Sequence, residues 1–243
     1  MTAKDFSSIR AVVFDAVGTL IYPFPPVAEA YHLAGWSNGS KLPVTQIWRR
    51  FRAAFAQSQL GPEQHDGDLR RATTSEAIER ERWRQIVGHV FTDVPEAVET
   101  IYEMLWKHFA QPEHWRIYAD APAVWPELQT RGYALGIASN FDGRLRGILR
   151  GHEPLDRCES LFVSSELGFP KPAREFFAGI EERLHLTGDE ILLIGDDELN
   201  DYQAARAAGW SALRLHRGTE TEQPDCIHTL AQLLEMLPSR GDR

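Results

Sequence analysis

Short apolar runs rich in Val, Ile and Leu recur at residues 11–14, 133–138, 161–163, 191–194 and 212–215. Continuous apolarity over so few residues predicts strands buried on both faces, as in a parallel sheet. Around these runs the apolar positions fall at three- and four-residue spacing over 121–130, 143–150, 173–184, 200–208 and 226–236, which predicts helices. Gly132 and Gly209 stand where two of those helices would end. This alternation predicts an α/β protein with a doubly wound, Rossmann-like parallel sheet.

More than a hundred residues separate the first run from the second, and none of them reads as a strand. Pro23, Pro25 and Pro26 mark where this stretch begins, and Gln111-Pro112-Glu113 with Asp120-Ala121-Pro122 where it closes. Helical spacing over 44–59, 73–90 and 96–109, with a polar break at 61–67, predicts a small inserted all-helical bundle. The division expected is a core of residues 1–21 and 116–243 and a helical domain of residues 22–115. Trp48, Phe51, Phe55, Trp83, Tyr102, Trp106 and Phe109 read as packing inside that bundle.

Composition narrows the class. With 43% hydrophobic and 25% charged residues in 243, the chain has enough apolar material for one large domain or two modest ones. A net charge of -9 argues against a nucleic-acid partner. Cys158 and Cys226 lack metal-binding spacing and read as thiols of a reducing compartment. The first residues lack the basic start and long apolar stretch of a secretory signal, and no segment approaches the roughly 20 apolar residues of a membrane span. The expectation is a cytoplasmic protein with no membrane partner. The sequence carries no legible oligomeric state.

Polar residues at the ends of the predicted strands are the candidates for chemistry, because open α/β sheets bind ligands at their carboxyl edge. Asp15 ends the first strand, within Asp15-Ala16-Val17-Gly18-Thr19. Ser139-Asn140 ends the second, offering a hydroxyl and amides to an anionic oxygen. Lys171 sits between Pro170 and Pro172, which restrict the backbone that aims its ammonium. Asp196, Asp197 and Asp201 form an acidic cluster suited to a hard cation, or to capping a helix.

In order and spacing, these motifs resemble the haloacid dehalogenase superfamily over nearly the whole chain, with the helical insert in the position of its C1-type cap. The resemblance implies Mg2+-dependent hydrolysis of a small phosphorylated substrate, with Asp15 as the nucleophile that forms an aspartyl-phosphate. Ser139, Asn140, Lys171, Gly18 and Thr19 would hold the phosphoryl group. Mg2+ would lie on Asp15, the Val17 carbonyl and Asp196 or Asp197, supported by Asp201.

One position departs from the family pattern. Family phosphatases carry a second Asp two residues after the nucleophile, as general acid and base, where this chain has Val17. That loss removes help typically worth about 10²- to 10⁴-fold. Three readings follow: a slow or specialised phosphatase with Asp142, or more weakly Glu198, as substitute acid; a metal-independent 2-haloacid dehalogenase, whose halide leaves without a proton; or a non-catalytic binding protein that keeps the pocket.

Overall fold

A computed structural model describes residues 6–58, 73–218 and 225–242. Strand β1 (Ala11–Phe14) leads through β2 (Ile21–Pro23) into helices α1 (Val27–Ser37), α2 (Val44–Ser58), α3 (Glu76–Val90) and α4 (Val98–His108), and β3 (Trp115–Ile117) brings the chain back. There follow α5 (Ala121–Thr130), β4 (Ala134–Ser139), α6 (Arg144–Leu149), β5 (Ser160–Val163), α7 (Ser164–Leu167) and α8 (Arg174–Leu184). The chain ends through β6 (Ile191–Gly195), α9 (Ala204–Ala207), β7 (Ser211–Leu215), β8 (Cys226–Ile227) and α10 (Leu233–Met236).

Six strands form one parallel sheet in the order β5-β4-β1-β6-β7-β8. The pleat sends alternate residues of β1 to opposite faces. Val12 and Phe14 pack with Val124, Trp125 and Leu128 of α5, whereas Ala11 and Val13 pack with Phe176, Phe177 and Ile180 of α8. Helices therefore cover both faces, which is why the strands read as unbroken apolar runs. The chain winds away from β1 in both directions, so the connections diverge there and leave a crevice at the carboxyl end of β1.

The inserted helices carry a separate core that includes Tyr31, Ile47, Phe51, Ile86, Phe91, Ile101 and Tyr102. Two ties hold them to the sheet. Antiparallel pairing of β2 with β3, Tyr22 opposite Arg116, sets the two connecting segments side by side. At the start of α3, Glu76 Oε1 accepts from the Gly143 amide at 2.8 Å and the Ser165 hydroxyl at 2.5 Å, while the Thr74 amide donates to the Gly168 carbonyl at 2.9 Å.

Several local expectations need correction. Helix α1 was not expected; Pro25 and Pro26 precede it and Gly35 interrupts its pattern, yet Gly35 lets the Phe91 ring approach, since a Cβ there would lie 2.3 Å from it. The short strands β2 and β3 were also missed. The helix expected over 226–236 is a strand at Cys226–Ile227, because those residues pair with Arg214 and Leu215, followed by a 3-10 turn and α10. The helix expected over 200–208 opens as a π-helical turn, Glu198–Gln203, before α9. The polar break expected at 61–67 lies outside the described residues. No helix among the described residues is long and apolar enough to cross a membrane, and neither Cys158 nor Cys226 forms a disulfide among them.

Candidate active site

Three of the predicted strand ends meet at one place. Asp15 follows β1, held by its amide's 2.8 Å bond to the Ile194 carbonyl; Ser139 ends β4; Asp196 follows β6. Lys171 arrives from the loop before α8. Its Nζ donates to Asp15 Oδ1 at 2.7 Å, to Asp201 Oδ1 at 2.5 Å and to the Ala138 carbonyl at 3.0 Å. Asp15, Ser139, Lys171 and Asp201 are all buried.

Asn140 fixes the lysine from behind. Its side-chain amide donates to the Lys171 carbonyl at 2.8 Å and its oxygen accepts the Lys171 amide at 2.7 Å, so both backbone polar groups of Lys171 are clamped. The Asn140 side chain is thus spent on positioning Lys171.

Asp15, Asp196 and Asp201 each bring a carboxylate oxygen within 4.8 Å of the others. One ammonium bonds two of these three carboxylates, and the electrostatics follow from that. Burial alone would lower the Lys171 pKa, but Asp15 and Asp201 outweigh it, so the lysine is raised and stays charged. Burial raises Asp15, with Lys171 pulling the other way and Asp196 adding to the rise. Burial likewise pushes Asp201 up to about 6, with Asp15 adding to the rise. The lysine gains from both partners while each carboxylate holds only a share of it, so all three shift upward together. Asp196 is pushed up to about 6 by desolvation and then by Asp201, and among the described residues it has no ion-pair partner. It is open to the cleft yet walled by protein on its other sides.

Two glycines make this cluster possible. At Gly18, with φ +93°, a Cβ would stand 2.3 Å from Asp196 Oδ2; at Gly195 it would stand 2.2 Å from the Asp201 carboxylate. Thr19 is wholly buried, and its hydroxyl reaches Asp196 Oδ1 at 3.4 Å while its carbonyl accepts from Arg217 at 2.8 Å. Gly18 and Thr19 therefore shape the loop behind Asp196 and do not line the cleft as substrate ligands.

Other expected roles also change. Asp197 caps the helical turn through Oδ1, accepting the amides of Leu199 at 2.9 Å and Asn200 at 2.8 Å, as befits amides left unpaired at a helix start, and of the two neighbours it is Asp196 that joins Asp15 and Asp201 in a group able to hold a metal ion. Asp142 is 1% exposed and gripped by Arg144 through two 2.7 Å bonds, one to each oxygen, so neither is free to carry a proton into the cleft. Glu198 pairs with Arg214 at 2.5 Å, away from the cleft.

The cleft is a cavity of about 340 Å³ between the sheet edge and the inserted helices. Asp15, Val17, Ser139, Lys171, Asp196 and Asp201 line one side. The helices contribute Tyr31, Phe51, Phe55, Glu79, Arg82 and Trp83. Aromatic residues expected to be plain packing thus divide: Phe51 belongs to the bundle core and faces the cavity as well, Phe55, Trp83 and Phe109 pack against that core and line the cavity, and Trp48 is 44% exposed. Tyr31, Arg82 and Arg144 were missed as cavity residues, since nothing local in the sequence separates them from other helix positions. Lone side chains on a helix acquire a site only when the helix docks.

Comparison with known proteins shows the family. A sequence profile for haloacid dehalogenase-like hydrolases matches residues 9–209. The human protein called haloacid dehalogenase-like hydrolase domain-containing protein 3 is 31% identical over 95% of this chain and 93% of its own. Phosphoglycolate phosphatase of Escherichia coli K12 is 27% identical over 97% and 94%. The crystal structure of a dehalogenase with an intermediate complex superposes with a TM-score of 0.71 at 19% identity, over 95% and 98%, a likeness of fold alone.

Proposed function

Because this chain belongs to the haloacid dehalogenase-like hydrolases, in the branch of domain-containing protein 3, we propose that it is a Mg2+-dependent phosphatase acting on a small phosphorylated metabolite through an aspartyl-phosphate on Asp15. The observation that carries this reading is the charge balance at Asp15. Three carboxylates and one ammonium sum to a net charge of -2 within a few ångströms, and Asp196 has no cationic partner among the described residues. A hard divalent cation with oxygen ligands fits that donor set. Asp15, Asp196 and the Val17 carbonyl would hold it. When bound, Mg2+ supplies charge neutralisation that lets a phosphate dianion approach a carboxylate.

The chain's own groups do the rest. Lys171 holds Asp15 ionised and oriented and presents positive charge to the incoming phosphoryl oxygens. Ser139, buried at the end of β4, offers its hydroxyl to one of them. The inserted helices cover the site and limit water in it.

Val17 is the one residue that favours dehalogenation, since a halide needs no proton. The carboxylate cluster disfavours it, because an organic acid would meet net negative charge without a cation present. The test is a panel of phosphate monoesters and acyl phosphates with Mg2+ or with chelator, run on the wild type, Asp15→Asn and Val17→Asp. Turnover that needs both Asp15 and Mg2+ is expected, with a gain on Val17→Asp. Chloride release from 2-chloropropionate in chelator would replace this reading with dehalogenation, and phosphate binding with no turnover on any ester would replace it with a binding role.

A further inference from the structure

We infer that the leaving group is an aryl oxide, so that the substrate is a phosphomonoester of a phenolic oxygen; this rests on the phosphatase reading above and narrows it. Two independent features of the cavity lead there.

The first is that no carboxylic acid among the described residues stands ready to protonate the leaving oxygen. Val17 occupies the acid's position, and the other described carboxyl groups near the cleft are bonded to protein or belong to the cluster around Asp15. Asp142 is held by Arg144 through both oxygens, Asp197 caps a helical turn, and Glu79 accepts from Thr74 at 2.7 Å and Arg82 at 3.2 Å. Asp196 and Asp201 belong to the cluster around Asp15. A leaving group must then depart as a weak base. Phenols ionise near pH 10, several units below alcohols, so an aryl oxide leaves without the acid that an alkoxide requires.

The second is the wall that the leaving group would meet. Phe51 is near-parallel to Phe55, with centroids 5.8 Å apart and planes 21° apart, and to Trp83 at 6.5 Å and 22°. Phe109 closes the same cavity. Such faces stack on a planar ring and leave the hydroxyls of a polyol unpaired. The main polar residues on the helical side are Tyr31, Glu79 and Arg82; Glu79 and Arg82 are bonded to each other, and the Arg82 guanidinium lies over the Phe55 ring at 5.1 Å with its Nη2 unpaired among the described residues. The Tyr31 hydroxyl makes no hydrogen bond among the described residues, and the Tyr31 ring meets Phe51 edge-on at 5.1 Å.

In the first step an Asp15 oxygen bonds to phosphorus as the bond from phosphorus to the aryl oxygen breaks, and the electron pair departs on the aryl oxide. Water then adds to phosphorus and the bond to Asp15 breaks, restoring the carboxylate. One proton of that water stays on phosphate and the other reaches the aryl oxide through solvent.

Two measurements test this. With Mg2+, kcat/KM is compared for alkyl and aryl phosphates across a range of leaving-group pKa, on the wild type and on Phe55→Ala, Trp83→Ala and Val17→Asp. Aryl esters are expected to exceed alkyl esters by at least about 10³-fold, with a steep dependence on leaving-group pKa that flattens in Val17→Asp. Each aromatic truncation should cost aryl esters at least tenfold more than it costs alkyl esters. Binding is measured separately on the unmodified protein, with phenylphosphonate expected to bind at least tenfold more tightly than methylphosphonate, which guards against variants that fail to fold. Comparable alkyl and aryl turnover that still needs Asp15, or equal phosphonate affinities, overturns the aryl assignment and leaves the phosphatase standing. No Asp15-dependent turnover on any ester overturns both.

Discussion

Replacing Lys171 with Met should destabilise the protein by about 3–5 kcal/mol at pH 8, the usual effect of removing one member of a buried ion pair. The structure supports the upper part of that range. Lys171 is 4% exposed and bridges two carboxylates at 2.7 and 2.5 Å, so the substitution strands two charges and also leaves the Ala138 carbonyl without its 3.0 Å donor. The sign of the pH dependence follows. Asp201 already lies near 6 with the lysine present, above the roughly 3.9 of an unfolded aspartate, and Asp15 is raised as well. A carboxyl group raised on folding binds protons more readily folded than unfolded, so its contribution is fully present below about pH 4 and lost as pH rises through the folded value. Lys171→Met raises both groups further, so its deficit should be largest at pH 8 and shrink by pH 5. Urea unfolding followed by tryptophan fluorescence at both pH values reads this. Asp201→Asn in the same background removes one stranded charge and should recover about 1–3 kcal/mol at pH 8, the coupling expected of groups in one network. A deficit below about 1 kcal/mol at pH 8, or one that does not change with pH, would refute the placement of a charged lysine between two carboxylates.

Other outcomes follow from single features. Gly18→Ala combines φ +93° with a Cβ 2.3 Å from Asp196 Oδ2, so it should lower turnover by at least about tenfold by displacing Asp196, with far-ultraviolet circular dichroism unchanged. Glu76→Ala removes the bonds to Gly143 and Ser165 that tie α3 to the sheet; KM should rise more than kcat falls, and small-angle scattering should show a more open particle. His108 is pushed down to about 4 by burial and by His114, stacked on it at 3.7 Å, so its contribution is present above about pH 6.5 and lost as pH falls toward 4. His108→Phe should flatten the urea midpoint across that window, and an unchanged slope would count against a neutral buried imidazole. Asp142→Asn should leave the pH profile of turnover unchanged while lowering the melting temperature, because the carboxylate's partner is Arg144.

The parallel sheet and the residues at its carboxyl edge were legible because each depends on local pattern. A strand buried on both faces must be continuously apolar, and a polar residue that ends it is conspicuous. Asp15, Ser139 and Asp196 were found this way and Lys171 by the prolines that flank it, and the structure brings all four to one cavity. The insert was visible as a long interval of helical spacing, although α1, hidden behind prolines, was not.

What the sequence could not divide was the work within each motif. Asp196 and Asp197 are adjacent and chemically identical, and only the direction of the chain leaving β6 sets one carboxylate beside Asp15 and Asp201 and the other onto amide groups at a helix start. That the Asn140 side chain holds Lys171 depends on the Lys171 backbone lying against it, 31 residues further along the chain. Asp142 was a reasonable substitute acid until Arg144 closed on it. The aromatic wall likewise came from helix docking, which sets Phe55 and Trp83 from separate helices over a nucleophile on β1. By itself the sequence determined the fold class, the family resemblance and the missing acid at Val17, since these are properties of residue types and their order. Which groups meet, and which are already spent on a neighbour, depends on distances between segments far apart in the chain, and packing alone decides those.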